Sequence, residues 1–439
     1  MRHLTITLLF VLFSCALYRA VPDKQAHFDT DSAGYQELAE TFYHTNTFVN
    51  QRVPERAPVQ PVGYPFFMAI VYKTVGVKVW ALIFVQVMLL WLSIVLLLHV
   101  SSLLFSEAVT RVVAYLAVFN VGFLVYPQFI LAETVQLFFI MLFMYLFVSF
   151  YQSKYWYYLC SSAAILGLST IIKPTALCSP ILIIPIVVYV LWRSANGVNA
   201  VAGAVLFIIS FYTPVLLYML RNYEVYGYFN FAPMMPLNMY QCLLAKVMSR
   251  VEGLPVQDIV DTQLRFSATN TFDAAGWDHA KKLFYDYLWQ YPTTFVVVWV
   301  QNVTKTVFGL FSTQLKVLIE PLVRGGDCSF FLQEGSFLER INAYIVSGST
   351  HWWVCLVSYV EALWSVVRWV LVITGFGFLC AEKKYGLVCI FVLCIMQFSV
   401  VTGMDGCCRY RIIFEPILIM ICAYALVQWY YLIKRICAK

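Results

Sequence analysis

The chain has 439 residues, of which 62% are apolar or aromatic and only 12% are charged, with a net charge of +6. Soluble domains carry about 25% charged residues, so this composition excludes a cytosolic globular enzyme and a disordered tail. The Lys and Arg residues are scattered and not clustered, which excludes a partner that is a nucleic acid. With a mean hydropathy of +0.77, the chain is predicted to be a multi-pass membrane protein.

Apolar stretches predict an all-α polytopic fold with about ten or eleven transmembrane helices. A membrane-spanning helix needs about 20 mostly apolar residues. Ten stretches qualify or come close, namely 4–21, 79–100, 111–126, 128–151, 156–172, 175–192, 198–220, 353–380, 386–402 and 412–433. We interpret the first stretch as an uncleaved anchor, because the residues after it make a poor signal-peptide cleavage site.

The distribution of basic residues over the short loops predicts the orientation. With the N-terminus inside, the cytoplasmic side receives Arg2, Arg111, Lys154, Arg193, Lys383, Lys384, Lys434, Arg435 and Lys439. An eleventh apolar run, 294–312, would invert part of this arrangement if it crossed the membrane, so we expect it to be interfacial or re-entrant. The prediction is one domain, 1–439, with two long non-cytoplasmic loops, 22–78 and 221–352, that contain interfacial helices.

The first long loop contains two carboxylates before an amphipathic helix. From Ser32 onward the pattern is helical, with Tyr35 and Phe42 on the apolar face. Asp31 stands at the helix N-terminus, where it can act as an N-cap or as a carboxylate that accepts a proton from a substrate. The Asp29-x-Asp31 spacing is also compatible with a divalent cation, although this short motif is a weak signal.

The same loop continues through a stretch with four prolines between residues 54 and 65, which predicts an irregular but stiff path. Arg52 and Arg56 in this stretch bring cations to the membrane surface. They can contact a substrate or lipid headgroups, and the sequence leaves both roles open.

Charged residues at the outer ends of the spans are candidates for a site. A carboxylate at the margin of a span, such as Glu133, is costly unless it is paired or faces water, so it is either functional or a charge at a helix N-terminus. Lys173, Arg221, Arg409 and Arg411 lie on the non-cytoplasmic side, against the positive-inside bias. Guanidinium groups bind phosphate with paired donors, which indicates a lipid-phosphate site.

Arg411 has a second interpretation. Glu415 follows it by one helical turn, so the two side chains can form an ion pair that has no part in substrate binding.

Five short elements together resemble the GT-C superfamily of membrane glycosyltransferases, which use polyprenyl- or dolichyl-phosphate sugars. The nearer resemblance is to the branch with the protein O-mannosyltransferases and the lipid A aminoarabinose transferase. The elements are Asp31-Ser-x-x-Tyr35, Pro61-Val-Gly-Tyr64-Pro65, Ala132-Glu133, Arg221-Asn222 and Arg409-Tyr410-Arg411. Each is weak alone, and their order and sidedness carry the match across most of the chain. The paired prolines of the family are here Pro61-Val-Gly63, so the identity of the acceptor does not follow.

The resemblance implies a role for each candidate residue. Asp31 is the expected catalytic base, with Asp29 and Glu133 as neighbouring carboxylates. The expected substrate-binding residues are Tyr35, Arg56, Tyr64, Lys173, Arg221, Asn222, Arg409, Tyr410 and Arg411. No particular cofactor follows from the resemblance, and a divalent cation is compatible with the Asp29-x-Asp31 spacing.

The reaction implied is transfer of a hexose or pentose, with inversion, from a polyprenyl-phosphate donor. The acceptor is a glycan, a lipid or a protein on the non-cytoplasmic face. The membrane is that of a bacterial cell envelope (the inner membrane), or the endoplasmic reticulum in a eukaryote.

Two other classes of protein remain as alternatives. A transporter or lipid flippase is expected to have polar or Gly/Pro-interrupted helices near mid-membrane, whereas the ionisable residues here lie at the outer boundary. A glycan ligase or polymerase also handles polyprenyl-linked sugars, but the Asp31-Ser-x-x-Tyr35 element favours the transferase.

Overall fold

The computed structural model describes residues 2–29, 31–49, 58–194, 197–227, 229, 231, 237–264, 274–320, 335–346, 349 and 351–438. In these ranges the regular secondary structure is helical, and no β-strand occurs among them. The predicted all-α class is therefore confirmed.

The first half of the chain forms mainly long apolar helices. They are α1 (Arg2–Ala20), α2 (Ser32–Thr45), α3 (Gly63–Val75), α4 (Val79–Leu104), α5 (Glu107–Val118), α6 (Val121–Val125), α7 (Glu133–Ser153), α8 (Trp156–Ile172), α9 (Ser179–Ser194) and α10 (Gly197–Tyr226). Short 3-10 turns interrupt this half at Lys24–His27, Tyr126–Gln128 and Pro174–Ala176.

The second half begins with shorter helices and ends with three long ones. They are α11 (Ala245–Glu252), α12 (Val256–Asp258), α13 (Ala274–Gln290), α14 (Pro292–Phe308), α15 (Ser312–Ile319), α16 (Phe337–Val346), α17 (Trp352–Ala381), α18 (Tyr385–Thr402) and α19 (Glu415–Cys437). A π-helical stretch, Asn238–Leu244, leads directly into α11, and a second, Ile259–Gln263, follows α12. A 3-10 turn, Cys408–Ile413, precedes α19.

The predicted spans coincide with observed helices. In the described ranges, six helices are long and apolar enough to cross a membrane, namely α4, α7, α10, α17, α18 and α19. Two bent pairs, α5 with Val121–Gln128 and α14 with α15, raise this number to eight if each pair is one span. Three shorter apolar helices, α1, α8 and α9, fall at the remaining predicted positions. The chain is therefore a multi-pass membrane protein.

The eleventh apolar run does not form one straight helix. It breaks after Phe308, and α15 leaves α14 at an angle of 74°. A bend of this size is found both in broken spans and in re-entrant loops, so the re-entrant placement of 294–312 stays a prediction.

Close helix packing positions the ends of the spans. Helix α8 lies between α7 and α10. A Cβ atom at Gly167 of α8 would lie 2.2 Å from the carbonyl oxygen of Phe211 in α10, so only glycine permits this approach. Small residues at such crossings bring helix backbones together in membranes. Helix α8 also packs closely against α7, so the end of α8 and the start of α7 lie side by side.

The two long loops lie at the same end of the helical bundle, which we call the loop face. Arg221 at the end of α10 donates a hydrogen bond of 2.9 Å to the carbonyl oxygen of Phe48 in the first loop. The second loop has an apolar core of its own, to which Leu244, Met248, Ile259 and Phe284 contribute. This small helical unit covers part of the loop face.

Candidate active site

A cavity of about 90 Å³ opens at the loop face, where α18 ends and α2 begins. We call it the charged cavity, because two carboxylates and two cations line it. Its lining consists of Asp31, Lys173, Pro174, Thr175, Asn238, Val401, Thr402, Met404, Asp405, Arg409 and Tyr410. Four of the predicted site residues are among them.

Asp31 contributes a carboxylate to this cavity. It occupies the N-cap position of α2, but its side chain makes no capping hydrogen bond. Instead, its Oδ2 atom lies 2.8 Å from Nη1 of Arg409. The interpretation of Asp31 as a side-chain helix cap is therefore wrong, and the carboxylate is directed toward a cation of the site.

Hydrogen bonds to the segment before α7 hold the loop that carries Asp31. Ser32 donates from its hydroxyl to the carbonyl oxygen of Ile130 over 2.8 Å. The backbone N–H of Ile130 donates to the carbonyl oxygen of His27. The His27 ring nitrogen Nδ1 lies 2.7 Å from the carbonyl oxygen of Gln128. These bonds fix the start of α2 beside the start of α7.

Glu133 and Lys173 form a buried ion pair behind the cavity. Lys173 Nζ lies 2.6 Å from Glu133 Oε1, and the two side chains are 7% and 2% exposed. The same oxygen lies 3.6 Å from Nε of Arg409. Glu133 is thus paired with two cations, as a carboxylate at the margin of a span requires.

Arg409, which lies beside both Asp31 and Glu133, is also connected through Tyr410 to a third carboxylate, that of Asp405. Its Nη2 donates to the hydroxyl of Tyr410 over 3.1 Å, and this hydroxyl donates to Oδ2 of Asp405 over 3.0 Å. Lys246 donates to the backbone carbonyl of Asp405 over 2.7 Å and lies 3.7 Å from Oδ1 of its carboxylate. Burial alone would raise the pKa of Asp405, but Lys246 and Arg409 outweigh burial and hold this pKa below its ordinary value.

Sequence reasoning missed Asp405 and Lys246. The only available signal for Asp405 was its position beside Gly406, in a turn shortly before Arg409. Gly406 has a φ of +77°, and a Cβ there would lie 2.5 Å from Cα of Asn302, so the turn needs glycine. Lys246 lies in the second long loop, and nothing in its local sequence distinguishes it from other exposed lysines.

Two predicted tyrosines belong to the packed interior. Tyr35 and Tyr64 contact each other edge to face, with ring centroids 4.9 Å apart. The Tyr64 hydroxyl donates to Oε1 of Gln86 over 2.6 Å. Burial raises the pKa of the Tyr35 hydroxyl well above its ordinary value, so this group stays neutral. Neither residue lines the charged cavity, and both support the helix that carries Asp31.

Arg221 anchors the first long loop, and Asn222 anchors the second. Arg221 and Tyr226 both donate to the carbonyl oxygen of Phe48. Asn222 is buried and donates from Nδ2 to the carbonyl oxygen of Phe231 over 3.0 Å. These residues join α10 to loop backbone and do not line the charged cavity.

Arg411 lies in a different buried cluster. Its side chain is 1% exposed and pairs with Glu415 at 3.0 Å. It also donates to the carbonyl oxygens of Val307 and Gly309, at the end of α14. Glu361 lies 3.8 Å away and accepts hydrogen bonds from the first amides of α15. The ion pair weighed for Arg411 from sequence is present, and the residue does not reach the cavity.

Three further predictions concern Arg56, Asp29 and a metal. Arg56 lies outside the described residues. The backbone N–H of Asp29 donates a hydrogen bond to the Ser32 hydroxyl within the loop. Asp29 does not line the charged cavity. Among the described residues, no three His, Cys, Asp or Glu side chains come together in a group that could hold a metal ion.

A second cavity, which we call the apolar cavity, lies within the bundle. It has a volume of about 660 Å³ and is lined mostly by aliphatic and aromatic side chains of α7, α9 and α18. On α18 it reaches Gln397 and Phe398, whereas the charged cavity is lined by Val401 and Thr402. The two cavities are therefore about one helical turn apart along the same helix.

Comparisons with known proteins identify the fold. No protein-family model matches the chain, and no curated protein sequence matches it. Several solved structures match, two of them with a TM-score of 0.54 and 12% identity each. One is the Archaeoglobus fulgidus oligosaccharyltransferase tethered with an acceptor peptide containing the NVT sequon via a disulfide bond. The other is the archaeal oligosaccharyltransferase AglB from Archaeoglobus fulgidus in complex with an inhibitory peptide and a dolichol-phosphate.

The matches cover 97% and 100% of this chain, but only 49% and 51% of the archaeal chains, so it spans about half their length. This likeness confirms the predicted GT-C fold. The chain therefore shares the helical architecture of these archaeal structures over about half of their length, and the charged cavity lies at its loop face.

Proposed function

We propose that the protein is a membrane glycosyltransferase that moves a sugar from a polyprenyl-phosphate-linked donor to an acceptor. The observation that carries this proposal is the pairing of the two cavities. The apolar cavity suits a polyprenyl chain, and the charged cavity, about one helical turn further along α18, suits its phosphate and sugar. Ligand sites of this kind combine apolar walls with a few placed polar groups.

The residues of the charged cavity support a direct displacement. Asp31 is the proposed base, and Arg409 and Lys173 are the proposed partners of the donor phosphate. The acceptor oxygen or nitrogen attacks the anomeric carbon, and its proton passes to the Asp31 carboxylate. The bond from the anomeric carbon to the phosphate oxygen breaks, and the electron pair stays with the phosphate. The cations stabilise the charge that develops there. Attack opposite the leaving group inverts the anomeric centre.

We place the site on the non-cytoplasmic face of the membrane. Arg111 and Lys154 lie at the ends of their helices that are remote from the charged cavity, and Lys383 and Lys384 lie between α17 and α18 at that same remote end. Basic residues in short loops mark the cytoplasmic side. The cavity therefore belongs to the other side.

The proposed acceptor is a protein, a glycan or a lipid. The archaeal structures contain an acceptor peptide or an inhibitory peptide, and one contains a dolichol-phosphate. These complexes support a lipid-linked donor and make a protein acceptor one of three classes, beside a glycan and a lipid.

The proposal is tested with purified protein in detergent and a panel of polyprenyl-phosphate sugars, hexoses and pentoses, measuring which sugar is released or transferred. We expect consumption of at least one donor, and its loss in Arg409→Ala. Correctly folded protein that neither binds nor consumes any polyprenyl-phosphate sugar would contradict the proposal.

A further inference from the structure

Arg409 is shared between two carboxylates that differ in their access to the charged cavity. Glu133 is 2% exposed and already holds Lys173 at 2.6 Å. Asp31 is 28% exposed, lines the cavity, and lies 2.8 Å from Nη1 of Arg409. A ligand that enters the cavity can therefore replace Asp31 as the partner of Arg409 without leaving a deeply buried charge unpaired.

Three cations at or beside the cavity are already paired before any ligand binds. The cations Arg409, Lys173 and Lys246 each have a carboxylate partner, namely Asp31, Glu133 and Asp405. An anionic donor phosphate that enters this arrangement needs a cation whose present partner can be displaced.

We infer that the donor phosphate displaces Asp31 from Arg409, and that this exchange frees the Asp31 carboxylate to accept the proton of the acceptor. The inference rests on the proposed function and adds an order of events to it. While Asp31 is paired with Arg409, its Oδ2 atom lies 2.8 Å from Nη1 of the guanidinium, so this oxygen is occupied and does not face an acceptor. Once the phosphate occupies Arg409, Asp31 is released beside the anomeric carbon. The donor binds first, and the base becomes competent only when there is a sugar to transfer.

Two features favour Arg409 over Lys246 as the cation that exchanges its carboxylate partner for the phosphate. The Lys246–Asp405 pair is longer, at 3.7 Å, and Lys246 does not itself line the charged cavity. A guanidinium also offers paired donors that match phosphate oxygens, whereas an ammonium acts as a point charge.

The exchange makes an unusual prediction for binding. Because Asp31 competes with the phosphate for Arg409, removal of its charge should tighten binding of the leaving group, although it abolishes transfer. We expect Asp31→Asn to bind undecaprenyl phosphate about fivefold or more tightly than the wild type, since close charged pairs contribute this much or more. Undecaprenol, which lacks the phosphate, should bind equally to both proteins.

The experiment measures the dissociation constant of undecaprenyl phosphate for the full chain in detergent, with monodisperse elution as the check on folding. Asp31→Ser replaces Asp31→Asn if the latter does not fold. Glu37→Gln is the matched control, because it removes the same charge from α2 at a position that does not line the cavity. The double variant Asp31→Asn/Arg409→Ala should show no tightening over Arg409→Ala alone.

Each outcome decides between the alternatives. Unchanged or weaker binding by Asp31→Asn, when the wild type binds and Arg409→Ala does not, overturns the exchange and leaves the proposed function standing. Equal tightening in Glu37→Gln, or tightening in Asp405→Asn in place of Asp31→Asn, also overturns it. Failure of the wild type to bind undecaprenyl phosphate overturns the proposed function and the exchange together.

Discussion

Arg409 and Arg411 are separated by one residue, yet their environments are opposite. Arg409 lines the charged cavity, and Arg411 is buried among Glu415 and the carbonyl oxygens at the end of α14. Both lie in a 3-10 turn, Cys408–Ile413, in which successive side chains point about 120° apart. The intervening Tyr410 takes the third direction, toward Asp405. The backbone conformation thus assigns one arginine to the site and the other to the scaffold.

Asp31→Asn tests the proposed base at the scale of a single residue. Because the Asp31 side chain makes no capping bond, the variant should keep the fold. It should lose transfer by about a hundredfold or more, as removal of a general base usually does. The measurement is the rate of sugar transfer from a saturating donor. Asp29→Asn is the neighbouring control and should retain more activity, while near-wild-type transfer by Asp31→Asn would rule out the assignment.

The buried pair of Glu133 and Lys173 should behave as a structural unit. Breaking a buried ion pair typically costs about 3–5 kcal/mol, and without Lys173 the Glu133 carboxylate keeps only the more distant Arg409, at 3.6 Å. We therefore expect Lys173→Met to lower the free energy of unfolding by about this amount, and Lys173→Met/Glu133→Gln to recover part of it. Thermal unfolding in detergent measures both. If the double variant is as unstable as the sum of the single variants, the two side chains do not form an energetically coupled pair.

At the scale of elements, the sharp bend between α14 and α15 has an identifiable cause. Arg411 donates to the carbonyl oxygens of Val307 and Gly309, which the end of α14 leaves without helical partners. Glu361 on α17 accepts from the amides of Phe311 and Ser312, each over 2.7 Å, at the start of α15. A cation at a helix C-terminus and a carboxylate at a helix N-terminus both complement the helix dipoles.

Arg411→Ala should therefore act through stability and not through the phosphate. Loss of the guanidinium leaves Glu361 and Glu415 with less compensation, leaves the Gly309 carbonyl without this donor and leaves Val307 with only the longer bond from Arg368, at a cost of about 3–5 kcal/mol. Arg411→Lys keeps the charge but not the paired donors, and should recover part of this loss. Thermal unfolding and undecaprenyl phosphate binding are measured for Arg411→Ala and for Arg409→Ala. We expect Arg411→Ala to lose mainly stability and Arg409→Ala to lose mainly lipid binding. A stable Arg411→Ala protein that cannot bind the lipid would return Arg411 to the phosphate site.

Asn302-Val-Thr304 in α14 has the form of an N-glycosylation sequon. Asn302 is buried in α14 and donates from Nδ2 to the carbonyl oxygens of Gly403 and Met404. These bonds hold the turn that carries Asp405 beside the cavity. The asparagine is thus a part of the scaffold and is inaccessible to a modifying enzyme.

At the scale of the whole molecule, the ends of many helices meet at one face. The N-terminal ends of α7 and α19 and the C-terminal ends of α8 and α18 come together there, because successive spans alternate in direction. Residues from both long loops complete the cavity, as Asp31 and Asn238 do. A site assembled in this way depends on the topology of the entire bundle.

Topology labelling tests the proposed sidedness. Single reporter cysteines placed near residues 40 and 260, in a background without other accessible cysteines, should react with a membrane-impermeant reagent from outside. Reporters near residues 383 and 438 should react only after the membrane is opened. Protection of the site near residue 260 would overturn the orientation and, with it, the non-cytoplasmic placement of the active site.

The hydropathy pattern alone determined the membrane class and the positions of the ten helical stretches, because each span must be apolar along its own length, which is a local property. The order of the short motifs was sufficient to predict the GT-C fold and to select Asp31, Arg409 and Tyr410, and the non-cytoplasmic position of Lys173 selected that residue. All four line one cavity. Only the tertiary structure decided how the charges pair. Lys246 reaches Asp405 from a loop distant in sequence, and Arg221 and Arg411 turn toward backbone carbonyls. Ion pairs and cavities form where separate elements pack together, and the direction of each side chain there follows from backbone geometry that no local pattern records.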